Sequence, residues 1–171
     1  MIWKNVSNHK TGGSMRKQKK VADTRTEQTY LIMQRHINGY GRLFGGQLLM
    51  WMDELAGIVS KRHAECEITT ACIDRLNFKT AAYLNDTVVL VGRVTYTGRS
   101  SMEIRVDAYA ESLQGIRRMI NTAYFVMVAI DPDGHAVEVP ELICETAEQK
   151  MEWECAERRY QLRKQRKKEG F

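Results

Sequence analysis

The chain has 171 residues, of which 43% are hydrophobic and 27% charged, the composition of an ordinary folded domain. No apolar run approaches the roughly 20 residues of a membrane-spanning helix, and the polar, basic N-terminus is unlike a secretory signal. The four cysteines are scattered without a C-x-x-C pair, which indicates free thiols in a reducing compartment. We therefore expect a cytoplasmic protein with no membrane contact and no metal site.

The formal net charge of +5 is concentrated in two terminal segments, 16–20 and 158–168. A basic tail of this kind is either simply solvated or attracts an anionic ligand. Binding of nucleic acid by the C-terminal segment is a third interpretation. We do not expect it, because the C-terminal helix has no interleaved aromatic residues beyond Trp153 and Tyr160 and stacking on bases needs more.

The first part of the chain combines a basic segment, a glycine-rich loop and one helix. Residues 1–26 are expected to be disordered, and 29–33 form a short β-prone run. Four glycines within 38–46 indicate unusual backbone angles or close backbone approach. From 47 to about 64, apolar residues recur at helical spacing, with Asp53 at the border of the apolar stripe. An unpaired carboxylate in that position is costly.

The second part is predicted to contain four strands, over 68–78, 87–97, 102–111 and 120–130, separated by turn residues. In the third strand, apolar and polar residues alternate, which predicts one face in water. Residues 145–168 have a helical pattern, with a capping box of Thr146 and Gln149 and a weak apolar stripe of Met151, Cys155 and Leu162. One helix followed by antiparallel strands predicts an α+β fold whose sheet edges pair between subunits.

The segment from Asn38 to Asp53, NGYGRLFGGQLLMWMD, carries an Asn, a Gly three residues later, a Gly-Gly pair and an acid seven residues after the last Gly. Segments NFK at 77–79 and GRSS at 98–101 accompany it, and Pro140 follows the last strand. Together they resemble the hotdog-fold acyl-CoA thioesterases, the branch of brain acyl-CoA hydrolase and the bacterial YciA type. The likeness covers about 27–142. The family's prolines are replaced by QRHI at 34–37 and TAA at 80–82, which affects loop geometry more than chemistry.

The resemblance implies a hotdog fold over 27–142, a curved antiparallel sheet wrapped around one central helix, with an extra basic C-terminal helix in 143–171. It implies hydrolysis of acyl-CoA thioesters to free fatty acid and coenzyme A, without a cofactor, by a homodimer or a hexamer (a trimer of hotdog dimers). Asp53 is the expected general base or nucleophile, and Asn38 of the other subunit orients the attacking water or the carbonyl. The N–H of Gly46, at the helix start, is expected to polarise the carbonyl.

The same resemblance assigns contacts with coenzyme A to two segments, where arginine, lysine and hydroxyl groups suit phosphate. The expected residues are Gly98, Arg99, Ser100 and Ser101 in the first segment, and Phe78 and Lys79 in the second.

Each candidate residue also has a structural interpretation. Asp53 could pair with Lys61 or Arg62, and Asn38 could serve only to form a turn. The two adjacent glycines could serve only packing, and 98–101 could be an ordinary turn.

For the whole protein, the alternative is a non-catalytic sensor that binds acyl-CoA and regulates transcription. The presence of both the acid and the amide favours the enzyme, as does an N-terminal segment too short and polar for a DNA-binding motif.

Overall fold

A computed structural model describes residues 16–170, and residues 1–15 and 171 lie outside that description. The strands are β1 (Gln18–Lys20), β2 (Thr26–Leu31), β3 (Glu67–Phe78), β4 (Thr87–Thr97), β5 (Ser101–Glu111), β6 (Arg117–Ile130) and β7 (Glu141–Ile143). The helices are α1 (Val21–Thr24), α2 (Gly45–Ala64) and α3 (Ala147–Glu169), and a 3-10 turn spans Gln34–His36. Within 16–170, no helix is both long and apolar enough to cross a bilayer.

The main sheet has five antiparallel strands in the order β2-β4-β5-β6-β3. Helix α2 packs against one face of this sheet and contacts all five strands. Met52, Leu55 and Val59 of its apolar stripe are completely buried. Burying each such side chain contributes about 1.5–3 kcal/mol. The α+β architecture, one central helix against an antiparallel sheet, is therefore as the sequence predicted.

The opposite face of the sheet is covered by α3. The predicted capping box starts this helix, since Thr146 Oγ1 accepts from Gln149 N at 3.2 Å and Gln149 Oε1 accepts from Thr146 N at 3.4 Å. The predicted apolar stripe does not make the contact: Met151 is 62% exposed and Leu162 55% exposed. Instead, the helix packs through buried Ala156 and through aromatic and charged side chains.

The prediction that β5 has one face in water is wrong. Glu103 and Asp107, on the polar side of the alternation, are only 1% and 2% exposed because α3 lies over them. Glu103 pairs with Arg159 of α3 at 2.7 Å and with Arg163 at 2.8 Å. Asp107 pairs with two arginines of the sheet, Arg93 and Arg105. Both arginines also pair with Glu152 of α3. Charges buried in this way need partners, and here every acid has them.

The expectation of disorder over 1–26 is wrong for residues 16–26, which carry β1, α1 and the start of β2. Strand β1 pairs in parallel with β7, outside the main sheet. The lysines assumed to be solvated find an acidic partner, because Lys17 and Lys19 both bind Glu65 at the end of α2. The remaining residues of that segment, 1–15, lie outside the described part.

Strand β3 forms one edge of the sheet, with only β6 beside it in the described part of the chain. It is 12 residues long, mostly exposed, and interrupted by two register shifts. A long exposed edge of this kind is a natural site for pairing with a second chain.

Candidate active site

The loop that precedes α2 is a closed turn built around Asn38. Its N–H donates to Arg42 O at 2.8 Å, and its carbonyl accepts from Gly41 N at 2.9 Å. Gly41 has a φ of 69°, a left-handed conformation that glycine adopts without strain. The side-chain Oδ1 of Asn38 accepts from Tyr40 N at 2.9 Å and from Arg42 N at 3.3 Å. The turn-forming interpretation of Asn38 is thus correct, but it uses only the oxygen of the amide.

The amide nitrogen of Asn38 makes no hydrogen bond with residues 16–170 and the side chain is half-buried. An Asn held by its oxygen presents its NH₂ group as a donor. Whatever Asn38 orients must therefore offer an acceptor, as a water oxygen or a carbonyl oxygen does.

The first turn of α2 begins without a side-chain cap, since Phe44 occupies the capping position. The first N–H of the helix with a carbonyl partner is that of Leu48, which donates to Phe44 O at 3.1 Å. Within 16–170 no acceptor binds the N–H groups of Gly45 or Gly46. These donors stand at the positive end of a 20-residue helix, the arrangement that binds anions and developing negative charge.

Two aromatic rings explain why glycines occupy this turn. A Cβ on Gly46 would lie 2.6 Å from Cε1 of Phe44, and a Cβ on Gly45 would lie 3.0 Å from Cζ of Phe78. The packing interpretation of the glycines is therefore correct, and it is compatible with the functional one. The absence of side chains lets the rings approach while the N–H groups stay uncovered.

Asp53 lies two turns further along α2 and is half-buried, at the border of the apolar stripe as predicted. Its Oδ1 accepts a hydrogen bond of 3.0 Å from Oγ1 of Thr70 on β3. The structural interpretation of Asp53 is wrong, because Lys61 pairs with Glu67 and Arg62 donates to a threonine hydroxyl. Within 16–170 no cation pairs with Asp53, so Thr70 is the one described side chain that binds its carboxylate.

Thr70 was missed by the sequence interpretation. It is an exposed threonine in a strand that contains another threonine at its side. Nothing in that pattern distinguishes it, because the contact with Asp53 depends on how α2 crosses β3.

The segment 98–101 is the tight turn between β4 and β5. Gly98 N donates to Ser101 O at 2.8 Å, and the carbonyl of Ser100 accepts from Ala129 N at 3.0 Å. The guanidinium of Arg16 donates to the carbonyls of Gly98 and Arg99. The side chain of Arg99 is exposed and bonds no residue in 16–170. The turn is thus held by hydrogen bonds to its backbone, and the side chain of Arg99 is accessible.

The other expected coenzyme A segment lies at the far end of the sheet. Phe78 opposes Asn121 of β6, whereas Ser101 opposes Val128, seven residues or about 23 Å along the same strand. Lys79 is exposed, with Nζ 2.9 Å from the sulphur of Met119. A single chain therefore does not bring Lys79 and the 98–101 turn together, and Phe78 alone of these residues contacts the start of α2.

One group of potential metal ligands exists in the described residues: Asp131, Asp133 and His135, in the turn after β6. The carboxylate of Asp131 accepts from the N–H groups of Asp133 and His135 at 3.0 and 2.8 Å, and the bond from His135 N lowers the pKa of Asp131. These bonds are those of an ordinary Asp-initiated turn, and the expectation of no metal and no cofactor stays a prediction.

The fold and these groups together define a hotdog-type protein with a carboxylate on its central helix and free amide donors at that helix's start. A thioesterase superfamily model matches residues 40–116. The chain is 34% identical over 147 residues to YkhA of Bacillus subtilis, named as an uncharacterized acyl-CoA thioester hydrolase; the match covers 85% of this chain and 86% of the relative. The chain belongs to the thioesterase superfamily.

A human relative, the cytosolic acyl coenzyme A thioester hydrolase, is 35% identical over 135 residues; the match covers 77% of this chain but only 35% of the human protein. Among solved structures, an apo-hexameric acyl-CoA thioesterase superposes with a TM-score of 0.84 at 36% identity, covering 88% of this chain and 97% of that one.

An acyl-CoA hydrolase from Staphylococcus aureus, solved with butyryl coenzyme A, coenzyme A and coenzyme A disulfide, superposes with a TM-score of 0.85 at 27% identity. The match covers 90% of this chain and 94% of that one. Further structures of the Staphylococcus hydrolase carry alanine in place of one aspartate, one asparagine and one threonine.

Proposed function

We propose that this protein hydrolyses acyl-CoA thioesters, releasing a free fatty acid and coenzyme A, and that Asp53, Asn38 and Gly46 carry the reaction. The observation that carries the proposal is the half-buried carboxylate of Asp53, which accepts a hydrogen bond from Thr70 and pairs with no described cation. It lies on the same helix as the unbonded N–H groups of Gly45 and Gly46. A thioester hydrolase needs these two elements: an activated oxygen nucleophile and donors for the oxyanion.

The spacing of the Staphylococcus variants supports the assignment. In that hydrolase the replaced aspartate follows the replaced asparagine by 15 residues and precedes the replaced threonine by 17. Asp53 follows Asn38 by 15 residues and precedes Thr70 by 17 in this chain. The correspondence selects Thr70 together with the two residues expected from the sequence.

The reaction would proceed as follows. The thioester carbonyl oxygen accepts from Gly46 N–H, where the helix dipole favours the negative charge that develops on it. Asp53 either accepts a proton from the attacking water or attacks the carbonyl itself, in which case water then cleaves the acyl-enzyme. In both cases coenzyme A leaves as the thiol, after taking a proton, and the acyl group leaves as the acid.

We further propose that the active unit is a homodimer or a hexamer built from dimers, with Asn38 and Asp53 supplied by different subunits. Two features support this: the long unpaired edge of β3 in the described residues, and apolar side chains exposed around the glycine loop. They include Met33, Tyr40, Phe44, Met50 and Phe78, exposed by 43–88%. Covering such a patch favours association.

Subunit complementation tests the shared site. Asn38→Ala and Asp53→Ala are each expected to be inactive, and mixing them after mild dissociation restores about a quarter of the wild-type activity, because random pairing gives some dimers one intact site. No recovery from a verified mixed dimer would contradict sharing. If neither wild type nor variants release thiol from any chain length but bind acyl-CoA, the sensor interpretation replaces the enzyme.

Contacts of coenzyme A with the 98–101 turn and with Lys79 remain proposals of the same kind. Because these elements lie about 23 Å apart along β6 in one chain, they would serve either different parts of the ligand or different subunits. A cytoplasmic location is also proposed, supported by four unpaired cysteines and by the human relative's description as cytosolic.

A further inference from the structure

Asn121, on β6, is fully buried, with 0% of its surface exposed. Neither Oδ1 nor Nδ2 of its side chain has a hydrogen-bond partner among residues 16–170. A buried amide without partners costs roughly 1–3 kcal/mol per unmet group, and most buried polar groups are paired for that reason. An amide of this kind is expensive for folding alone, which indicates that it has a partner outside residues 16–170.

The position of Asn121 places this amide next to the candidate active site. Asn121 opposes Ala108 of β5, a core residue on the α2 side of the sheet, and Phe78 of β3. Opposed residues in an antiparallel pair project from the same face, with Cβ atoms about 4.5–5.5 Å apart. The ring of Phe78 packs against Gly45, since a Cβ placed on that glycine would lie 3.0 Å from Cζ of the ring. The Asn121 amide therefore lies beside the first turn of α2.

The chemistry of the amide restricts its ligand. Oδ1 needs a donor and Nδ2 needs an acceptor. An acyl chain offers neither group, and a thioester carbonyl offers only an acceptor. The pantetheine arm of coenzyme A carries secondary amides, which offer both, and the nearest one is separated from the sulphur by two methylene groups. A thioester carbonyl bound at Gly46 would thus bring that amide close to the start of α2.

We propose that Asn121 is a binding residue for the pantetheine arm, pairing with the amide nearest the sulphur, an inference that rests on the proposed acyl-CoA hydrolysis. The ring of Phe78, 57% exposed, is the neighbour that moves to admit the arm. Rotation of exposed side chains is fast, on the picosecond to nanosecond scale. Asn121 would then favour thioesters whose thiol part carries this amide over thioesters that lack it, while Asp53 acts on the thioester itself.

The test compares three butyryl thioesters with wild type and Asn121→Leu, a variant of the same branched shape without polar atoms. Butyryl-CoA carries both pantetheine amides, butyryl-N-acetylcysteamine keeps only the amide nearest the sulphur, and butyryl-mercaptoethanol has none. We expect kcat/KM to fall about tenfold for the first two, as loss of a hydrogen bond predicts, and to stay unchanged for the third. Gln114→Leu, at an exposed amide in the β5–β6 turn, is the matched control.

Equal loss with all three thioesters, or no loss with any, would overturn the proposal. A thermal midpoint that falls in Asn121→Leu together with a uniform loss would assign the amide to folding. If the leucine variant does not fold, Asn121→Ala, which cannot overpack the site, repeats the comparison. If wild type hydrolyses none of the thioesters, the proposed function fails instead, and calorimetric binding of coenzyme A to wild type and Asn121→Leu still decides the role of the amide.

Discussion

Replacing Thr70 with valine removes the described hydrogen bond to the Asp53 carboxylate while keeping a β-branched side chain in β3. The bond measures 3.0 Å, and no other donor within 16–170 binds that carboxylate. Hydrogen bonds to charged groups contribute about 1.5–3 kcal/mol, and the lower end applies because Thr70 is exposed. A loss of about 1.5 kcal/mol of transition-state stabilisation corresponds to roughly tenfold lower kcat.

The assay is thiol release from an acyl-CoA, followed with a thiol-reactive dye. Cys72 and Cys155 are exposed, so a baseline without substrate is subtracted. Thr69→Val is the control, because the neighbouring residue in a strand projects to the other face. We expect Thr70→Val to lose about tenfold in kcat with a change in unfolding free energy below about 0.5 kcal/mol. Turnover equal to that of Thr69→Val would refute the role of Thr70 in orienting the carboxylate.

Three further variants probe the helix start, the buried histidine and the helix α3 contact. Gly46→Ala brings a methyl group 2.6 Å from the exposed Phe44 ring and beside the free N–H, so kcat is expected to fall while circular dichroism shows a folded protein; undiminished kcat would contradict a role for that N–H. Burial lowers the pKa of His63 below its ordinary 6.5, with Nε2 bonded to Pro140 O at 3.0 Å. The unfolded chain therefore binds more protons than the folded chain below about pH 6.5, and stability falls as the pH falls through that range. His63→Gln is expected to make the melting temperature less dependent on pH there; an unchanged slope of melting temperature against pH would refute this. Glu103→Gln leaves two arginines of α3 without a buried acid and is expected to cost about 3 kcal/mol in urea unfolding, whereas a cost below about 1 kcal/mol would show that α3 is held by other contacts.

The order and type of the main elements could be predicted from the sequence because each carries a strong periodic pattern. Strand β4 is observed over the predicted residues, and α2 and β3 begin within a few residues of their predicted starts. The α3 capping box was predictable because Thr146 and Gln149 are local in sequence, and local hydrogen bonds need no tertiary information.

The covering of β5 could not be predicted in the same way. An alternation of polar and apolar residues reports two different faces, and it does not say whether the polar face meets water or charged partners. Glu103 meets Arg159, 56 residues away, and that contact depends on the docking of α3. The basic C-terminal helix was therefore only partly a solvated tail, since two of its arginines are structural ions.

Three residues of the proposed site were expected from the sequence, whereas the residues around them were not. Asn38, Gly46 and Asp53 stand out because residue type and spacing are unusual, whereas Thr70 and Asn121 are ordinary strand residues by sequence. His36, which the sequence did not mark as a site residue, has a supporting role in the structure. Its carbonyl accepts from Phe44 N at 2.8 Å, and its ring packs edge-on against Trp51, which fixes the base of the glycine loop.

The most direct test of the central claim is thiol release across a panel of acyl-CoA chain lengths by wild type, Asp53→Asn and Glu54→Gln. The two substitutions remove adjacent carboxylates, but Glu54 is exposed on the far side of α2. Hydrolysis by wild type and by Glu54→Gln, with at least a roughly 100-fold loss in Asp53→Asn, is the result expected of a carboxylate that acts as base or nucleophile. Equal activity of the three proteins would show that Asp53 does not carry the reaction.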